Sequence, residues 1–300
     1  VIYIMYKSIF AGLCLFALAA CGSGVDQSGG GGSVPGGGST NDQEVYIGDT
    51  GDMNNLVYDA ANDQLVINNL PFDGVDGVYL NNGQGTVGGA GPINGFGVYE
   101  SQSVGQTGAF QYYAVFRESG NVRAGAAGTG DYAEFGHGGA MIARNSEPNS
   151  LPIATGELVY TGLYAGIRVI DENSPGGSAD VQLVSGDAEL LVDLLDFDIT
   201  GSIVGFINNR TYYDVDGNPL GTLPTIVMNE GSTISADGRF TGGTVTTFDS
   251  SLAELQNGTF EGMFAGPNGE EVVGAIILTG PAVEGSSINS KETGVFILAN

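Results

Sequence analysis

From Val45 to the end of the chain, short apolar runs alternate with clusters of Gly, Asn, Asp and Ser. The clusters recur roughly every eight to twelve positions, which is the pattern of an all-β protein. Leu56, Val57, Tyr58 and Leu65, Val66, Ile67 flank Ala60 to Asp63 and predict a hairpin. A Gly- and Asn-rich loop is expected from Asp73 to Asn94, with Asp-Gly turns at Asp73 and Asp76. Phe110 to Phe116, the turn Ser119, Gly120, Asn121, the return Val122 to Ala127 and a third run Asp131 to Arg144 predict a small aromatic-rich sheet. Pro148 and Pro152, within Ser146 to Pro152, mark the best domain boundary.

After that boundary the pattern is a continuous meander. Strands are expected at Gly156 to Ile170, Val181 to Val184 and Asp187 to Leu194, then along Ile199, Gly201, Ile203, Gly205 and Ile207. They continue at Thr225 to Asn229, Thr233 to Phe240, Thr244 to Phe248, on both sides of Pro267, Asn268, Gly269 between Gly258 and Leu278, and at Thr293 to Leu298. One short helix is predicted at Ser251 to Gln256, where Ser251 and Glu254 have capping-box spacing. About eight antiparallel strands suffice to close a barrel. Gly162, Gly166, Gly201, Gly205, Gly262 and Gly274 inside them suit the bends that closure needs. The expected fold is therefore all-β, a C-terminal eight-stranded antiparallel barrel with a smaller N-terminal β-rich subdomain, and a sandwich is the alternative.

The N-terminal segment follows different rules. Lys7 precedes the uncharged apolar run Ile9 to Ala20, which is short for a bilayer span and reads as an export signal. Leu18, Ala19, Ala20, Cys21 resemble the lipobox of bacterial lipoproteins. That resemblance implies cleavage between Ala20 and Cys21, acylation of the Cys21 thiol and new N-terminus, and anchoring in a membrane. An ordinary secreted protein or an uncut signal anchor is the plainer alternative. Gly22 stands where an inner-membrane retention signal would place Asp, so the outer membrane is the expected destination. Residues 21–44 then read as a Gly/Ser-rich tether with an r.m.s. reach on the order of 25 Å. The expected organisation is a signal over 1–20, the tether over 21–44, a β-rich domain over 45–148 and a barrel over 149–300.

Composition removes several chemistries. Cys14 lies in the signal, so after cleavage only Cys21 remains, and no disulfide, thiol nucleophile or thiolate metal site is expected. The single histidine, His137, excludes a triad or a His-pair haem site and reads as a loop or strand-end residue. The net charge of −26, with seven Lys and Arg beyond Lys7, excludes nucleic acid as a partner. The dispersed carboxylates favour solubility over steering of a basic partner. Asp214, Asp216 and Asn218 suggest a calcium loop, but Thr225 stands where the closing Glu is needed, and an Asp-Gly turn fits better. No catalytic residue, metal site or cofactor is expected. Tyr112, Tyr113, Tyr132 and Phe135 read either as a core or as a partner-binding patch.

Phe264 to Gly274 reads FAGPNGEEVVG and resembles the transferrin-binding-protein B family of surface lipoproteins. Phe264, Gly266, Pro267, Asn268, Glu270, Glu271 and Gly274 carry the match, whereas Ala265, Gly269 and Val273 depart from it. Gly156 to Gly166, Leu190 to Ile203 with Phe197 and Gly201, and Gly294 to Phe296 resemble other strands of the family's barrel. The resemblance spans roughly residues 156–300 and implies a barrel beside a smaller "handle". These motif residues shape the barrel, and the family's ligand-binding loops are not matched. What it implies is an outer-membrane surface lipoprotein, anchored through Cys21, that binds an extracellular protein or solute through loops, iron- or haem-related solutes among them. A periplasmic small-molecule carrier or a structural envelope lipoprotein is the alternative. An enzyme is not expected.

Overall fold

A computed structural model describes residues 43–48, 53–74, 77–102, 109–131, 135–149, 151, 157–171, 180–194 and 203–300. The signal, Ala20, Cys21 and the expected tether up to residue 42 lie outside these residues, as do Tyr132, Phe197, Ile199 and Gly201, whereas Gln43 and Glu44 of the expected tether belong to the first strand. The described residues are all-β and contain no helix.

The N-terminal sheet, the handle, is built from β1 (Gln43–Ile47), β2 (Asn55–Asp59), β3 (Gln64–Asn68), β4 (Val78–Asn81), β5 (Gly97–Ser101), β6 (Tyr112–Ser119), β7 (Val122–Thr129) and β8 (Gly138–Arg144). These eight strands form an antiparallel meander, except that β1 returns to pair with β8. The expected hairpin at Ala60 to Asp63 is the β2–β3 connection. The expected loop from Asp73 to Asn94 instead contains β4, only four residues long, whose apolar run Val78, Tyr79, Leu80 is flanked closely by Gly and Asn.

The second sheet comprises β9 (Glu157–Asp171), β10 (Asp180–Asp193), β11 (Ile203–Tyr213), β12 (Pro219–Thr222), β13 (Ile226–Met228), β14 (Thr233–Ile234), β15 (Arg239–Phe248), β16 (Glu254–Ala265), β17 (Glu271–Pro281) and β18 (Asn289–Ala299). Pairing runs β10-β9-β18-β17-β16-β15-β13-β11, and β11 pairs back onto β10. Those eight strands close a ring, as the pattern predicted, with β12 and β14 attached outside it.

Alternation fixes which side chains enter the lumen. Tyr160, Tyr164, Leu190, Ile207, Phe240, Phe260, Phe264, Ile276 and Phe296 point inward and form one core cluster. Thr241, Thr244, Asn257 and Thr259 point outward and are exposed. The lumen is thus lined chiefly by apolar side chains and the free outer wall carries Thr and Asn, the reverse of a membrane-spanning barrel. Along one register row, Phe240, Gly262, Gly274, Phe296 and Tyr164 are successive partners on adjacent strands. A Cβ on Gly262 would meet the Phe240 ring at 2.4 Å, and one on Gly274 would meet the Phe296 ring at 2.2 Å. These glycines make room for neighbouring rings, a stronger requirement than the bending expected of them.

The two sheets pack together within one compact unit, Gly36–Asn300. Val98, Val115, Ala124, Ala126 and Ile142 of the handle meet Ala165, Ile167, Val273, Ala275 and Val295 on the outer wall of the barrel. On its other face the handle buries Leu56, Leu65, Ile67, Tyr79, Tyr99, Tyr112 and Phe116.

Three expected elements differ. The two strands Val181 to Val184 and Asp187 to Leu194 are one strand, β10, because it pairs with β9 without a break, while the extra residue of a bulge opposite Gly186 lies on β11. Thr233 to Phe240 is a hairpin, with β14 turning back into β15 through Asp237 and Gly238. The helix at Ser251 to Gln256 is absent. Asp249 Oδ1 accepts the N–H groups of Ser251 (2.8 Å) and Ala253 (2.9 Å), which closes a turn and starts β16 at Glu254. Ser251 spends its hydroxyl on the same carboxylate (2.7 Å), so it caps nothing.

Candidate functional site: a cleft at the far end of the barrel

Strand direction gives the barrel two ends. The β16–β17 hairpin, the start of β9 and the C-terminus lie at one, the hairpin end. The β11–β12, β15–β16 and β17–β18 connections lie at the other, the far end.

The family-like motif residues Phe264, Gly266, Pro267, Asn268, Glu270, Glu271 and Gly274 come together at the hairpin end, where they join parts of the fold. Phe264 is fully buried, with its ring edge-on to Tyr160 (5.9 Å) and Phe240 (5.8 Å). Gly266 and Gly269 take φ of +80° and +70°, which the turn requires. Glu270 accepts the Asn268 N–H (2.7 Å), and the Pro267 carbonyl accepts the Asn149 N–H (3.0 Å). Glu271 reaches the handle, where one carboxylate oxygen accepts the Asn121 backbone N–H (2.8 Å) and side-chain amide (2.7 Å). Tyr160 donates to the Gly269 carbonyl (2.7 Å), and burial, then Glu270, push its hydroxyl up to about 12.

Arg144, at the end of β8, was not singled out by sequence and is wholly buried here. Its guanidinium donates to the carbonyls of Phe264 (2.8 Å) and Asp237 (2.7 Å) and, through Nε, to Gln43 Oε1 (2.8 Å). One side chain therefore ties the first handle strand to two barrel elements.

The lumen near the far end holds a second buried polar group that the sequence did not announce. Glu292 accepts the Tyr164 hydroxyl (2.6 Å) and an Arg210 N–H (2.5 Å), with Arg168 Nε 4.0 Å away. Arg210 also donates to the Pro224 carbonyl (2.6 Å) and Arg168 to Gln182 (2.5 Å). Burial raises the Tyr164 hydroxyl well above the tyrosine range, and Glu292 adds to it. Burial likewise lowers Arg168, against the pull of Glu292. For Arg168 and Glu292 the signal was the inward register shared with Tyr164 and Phe296, whereas Arg210 is turned inward by the bulge in β11, which alternation along the sequence does not show. A single Arg in an acidic chain otherwise reads as surface.

Also at the far end, a cleft of about 440 Å³ opens where the handle meets the barrel. The handle supplies Gln111, Tyr113 and Asp131, and the barrel supplies Asp180, Val181, Gln182 and, from the β11–β12 hairpin, Asp214, Val215 and Leu220. Gln111 N–H donates to Asp131 (2.7 Å), which fixes that wall. Opposite, Asp214 accepts the side-chain amide (2.9 Å) and N–H (2.8 Å) of Asn218, and the Asn218 bonds hold its carboxyl below the usual range. This is the expected Asp-Gly turn, with Gly217 at φ +81° and the Asp214 carboxylate occupied within it. Asn82 of the handle donates to the Val215 carbonyl (3.2 Å), which ties the handle to the β11–β12 wall.

The aromatic residues divide. Tyr112 is core and donates to the Pro71 carbonyl (3.0 Å), whereas Tyr113, one position on, faces the cleft. Burial, then Glu100, Asp131 and Asp216, raise the Tyr113 hydroxyl. Phe135 and His137 are half-buried beside β8, and His137 does not line this cleft. The lining has apolar patches at Val181, Val215 and Leu220, carboxylates at its rim, and no His, Cys, Ser, Lys or Arg.

No protein-family model matches the chain, and no curated protein matches it. Among solved structures it is similar to a double mutant of transferrin-binding protein B from Haemophilus parasuis Hp5, at 15% identity over 87% of this chain and 45% of that one, with a TM-score of 0.45. It is also similar to isotype 1 transferrin-binding protein B from serogroup B Neisseria meningitidis, at 19% identity over 87% of this chain and 44% of that one, with a TM-score of 0.37. The chain thus spans less than half the length of either protein. Its fold, established by the strand pairing itself, is similar at low identity to that of transferrin-binding protein B.

Proposed function

We propose that this protein is an outer-membrane surface lipoprotein, anchored through Cys21, whose handle and barrel hold an extracellular protein or solute at the far-end cleft. The observation that carries this reading is the polarity of the fold. Strand β1 begins at the hairpin end, where Arg144 grips Gln43, and the cleft opens at the other end. A chain tethered ahead of Gln43 therefore holds the motif hairpin nearest the membrane and presents the cleft outward. The lipobox-like Leu18 to Cys21 and the Gly/Ser-rich stretch after it supply the anchor and the leash.

Against carriage of a solute inside the barrel stands the described lumen, where aromatic and aliphatic side chains pack together and Glu292, Arg210 and Arg168 bond to one another and to neighbouring residues. The proteins it is similar to are named for transferrin binding. By analogy the ligand here is an extracellular protein or a solute it carries.

The test is protease treatment of intact cells, with an antibody to the barrel and a periplasmic control protein. Loss of the barrel signal while the control survives is the expected result, and protection until the envelope is permeabilised sinks the surface assignment. Cys21→Ser separately releases the protein from the membrane fraction if the anchor is real.

A further inference from the structure

Across the barrel mouth from the cleft, the β15–β16 and β17–β18 connections stand side by side. Ser250 joins them, its N–H (3.1 Å) and hydroxyl (2.6 Å) both donating to Glu284. On either side of that tie the side chains are apolar and exposed: Leu252 is 82% exposed, Val283 51%, Phe248 40% and Ile288 38%.

Leu252 is not there by slack. Its φ is +65°, a left-handed conformation that leucine avoids and glycine takes freely. The turn is over-determined around it, since Leu252 N–H donates to the Asp249 carbonyl (3.0 Å), Asp249 N–H to the Ala253 carbonyl (2.9 Å), and the Asp249 carboxylate takes Ser251 and Ala253. A strained backbone that holds a large apolar side chain in water marks a functional position better than a structural one. The neighbouring loop is similarly fixed, with Ser286 N–H on the Val283 carbonyl (3.0 Å) and Ala282 N–H on the Ile288 carbonyl (2.7 Å).

We propose that these two turns form a docking surface for a protein partner that offers an apolar depression rimmed by Lys and Arg, with Leu252 and Val283 as its anchors. Charge selects this occupant. Asp249, Glu254 and Glu284 lie in or beside the two turns, and residues 248–254 and 281–289 contain no Lys or Arg. A second copy of this acidic chain would meet the same charges, and an anionic bilayer would be repelled. The proposal does not depend on the cleft taking a ligand, because the two features lie on different strand connections.

The test uses the full mature chain and three probes: an amphipathic Leu/Lys helical peptide, the same peptide with Gln for Lys, and phosphatidylcholine vesicles. Saturable binding of the Leu/Lys peptide is expected, with weaker binding of the Gln version. Leu252→Gly and Val283→Ser should each weaken it about tenfold or more, as interface anchors do. Leu252→Gly should meanwhile melt no lower than the wild type, since glycine accepts the φ that leucine strains to hold. Unchanged affinity in Leu252→Gly overturns the proposal, as does equal binding of the two peptides. Preferential uptake by the vesicles assigns the surface to lipid and overturns it as well.

Discussion

The barrel closes through β10 and β11, whereas the handle leaves the outer edges of β1 and β2 unpaired among the described residues. Ring closure lets the barrel bury an aromatic core of its own making, with strands of up to 15 residues. The handle has strands of four to eight residues and must bury one face against the barrel wall. Its edges are guarded by charge and local bonds. Glu44 of β1 takes Arg123 (2.5 Å) and the Tyr46 hydroxyl (2.8 Å), and Asp59 of β2 takes the turn at Ala61 (3.0 Å). One sheet closes on its own packing, and the other adds to a core of its own a face that leans on its neighbour.

The largest test of that contrast lies in the lumen. Glu292→Gln leaves Arg210 and Arg168 buried without their carboxylate, and should cost about 3–5 kcal/mol in urea unfolding. A loss under about 1 kcal/mol would mean that water reaches the lumen and that the barrel is not self-packed. Next, Gly274→Ala drives a methyl into the Phe296 ring and should cost about 1–3 kcal/mol. Gly125→Ala in the handle meets the flexible end of Leu56 at 2.8 Å and should cost less, about 1 kcal/mol or under. Equal losses at the two positions would erase the proposed difference in packing.

The seam is tested by smaller changes. Glu271→Gln weakens both bonds to Asn121 and should cost about 1 kcal/mol, with faster amide exchange in the Gly120 to Asn121 turn and little change in the lumen. Smallest is Glu261, on the outer wall in a small recess beside Ile47, whose carboxyl is raised by burial. A raised carboxyl contributes stability at pH below its unfolded value, near 4.3, and that contribution is lost as pH rises through the folded value. Glu261→Gln should therefore raise the melting temperature slightly at neutral pH, by less than about 1 kcal/mol in stability, and the gain should vanish below about pH 4.

Sequence disclosed the barrel more fully than the handle for the same physical reason. Long alternating strands such as Ala188, Leu190, Val192 repeat their signal, whereas β4 and β5 carry too few residues to stand out from Gly-rich surroundings. The false helix came from Ser251 and Glu254, because capping spacing says nothing of the competing carboxylate at Asp249. The run of β10 was split at Ser185 and Gly186, yet β10 pairs with β9 without a break, and the bulge opposite Gly186 belongs to β11, at Asn209 and Arg210. The motif hairpin was legible as structure. The cleft was not, because Tyr113, Asp131, Asp180 and Leu220 are distant in sequence and meet only when the handle docks on the barrel.

The grip of Arg144 on Gln43 also has a mechanical side. Strand β1 runs from the hairpin end towards the far end, and its five residues pair antiparallel with β8. Inter-strand hydrogen bonds lie across the strand direction. A pull on the chain ahead of Gln43, opposed by a load held at the far end, therefore slides β1 along β8 and stresses those bonds together. Peeling would break them one at a time. The Gln43 side chain, clasped by Arg144, is where such a force first enters the folded body.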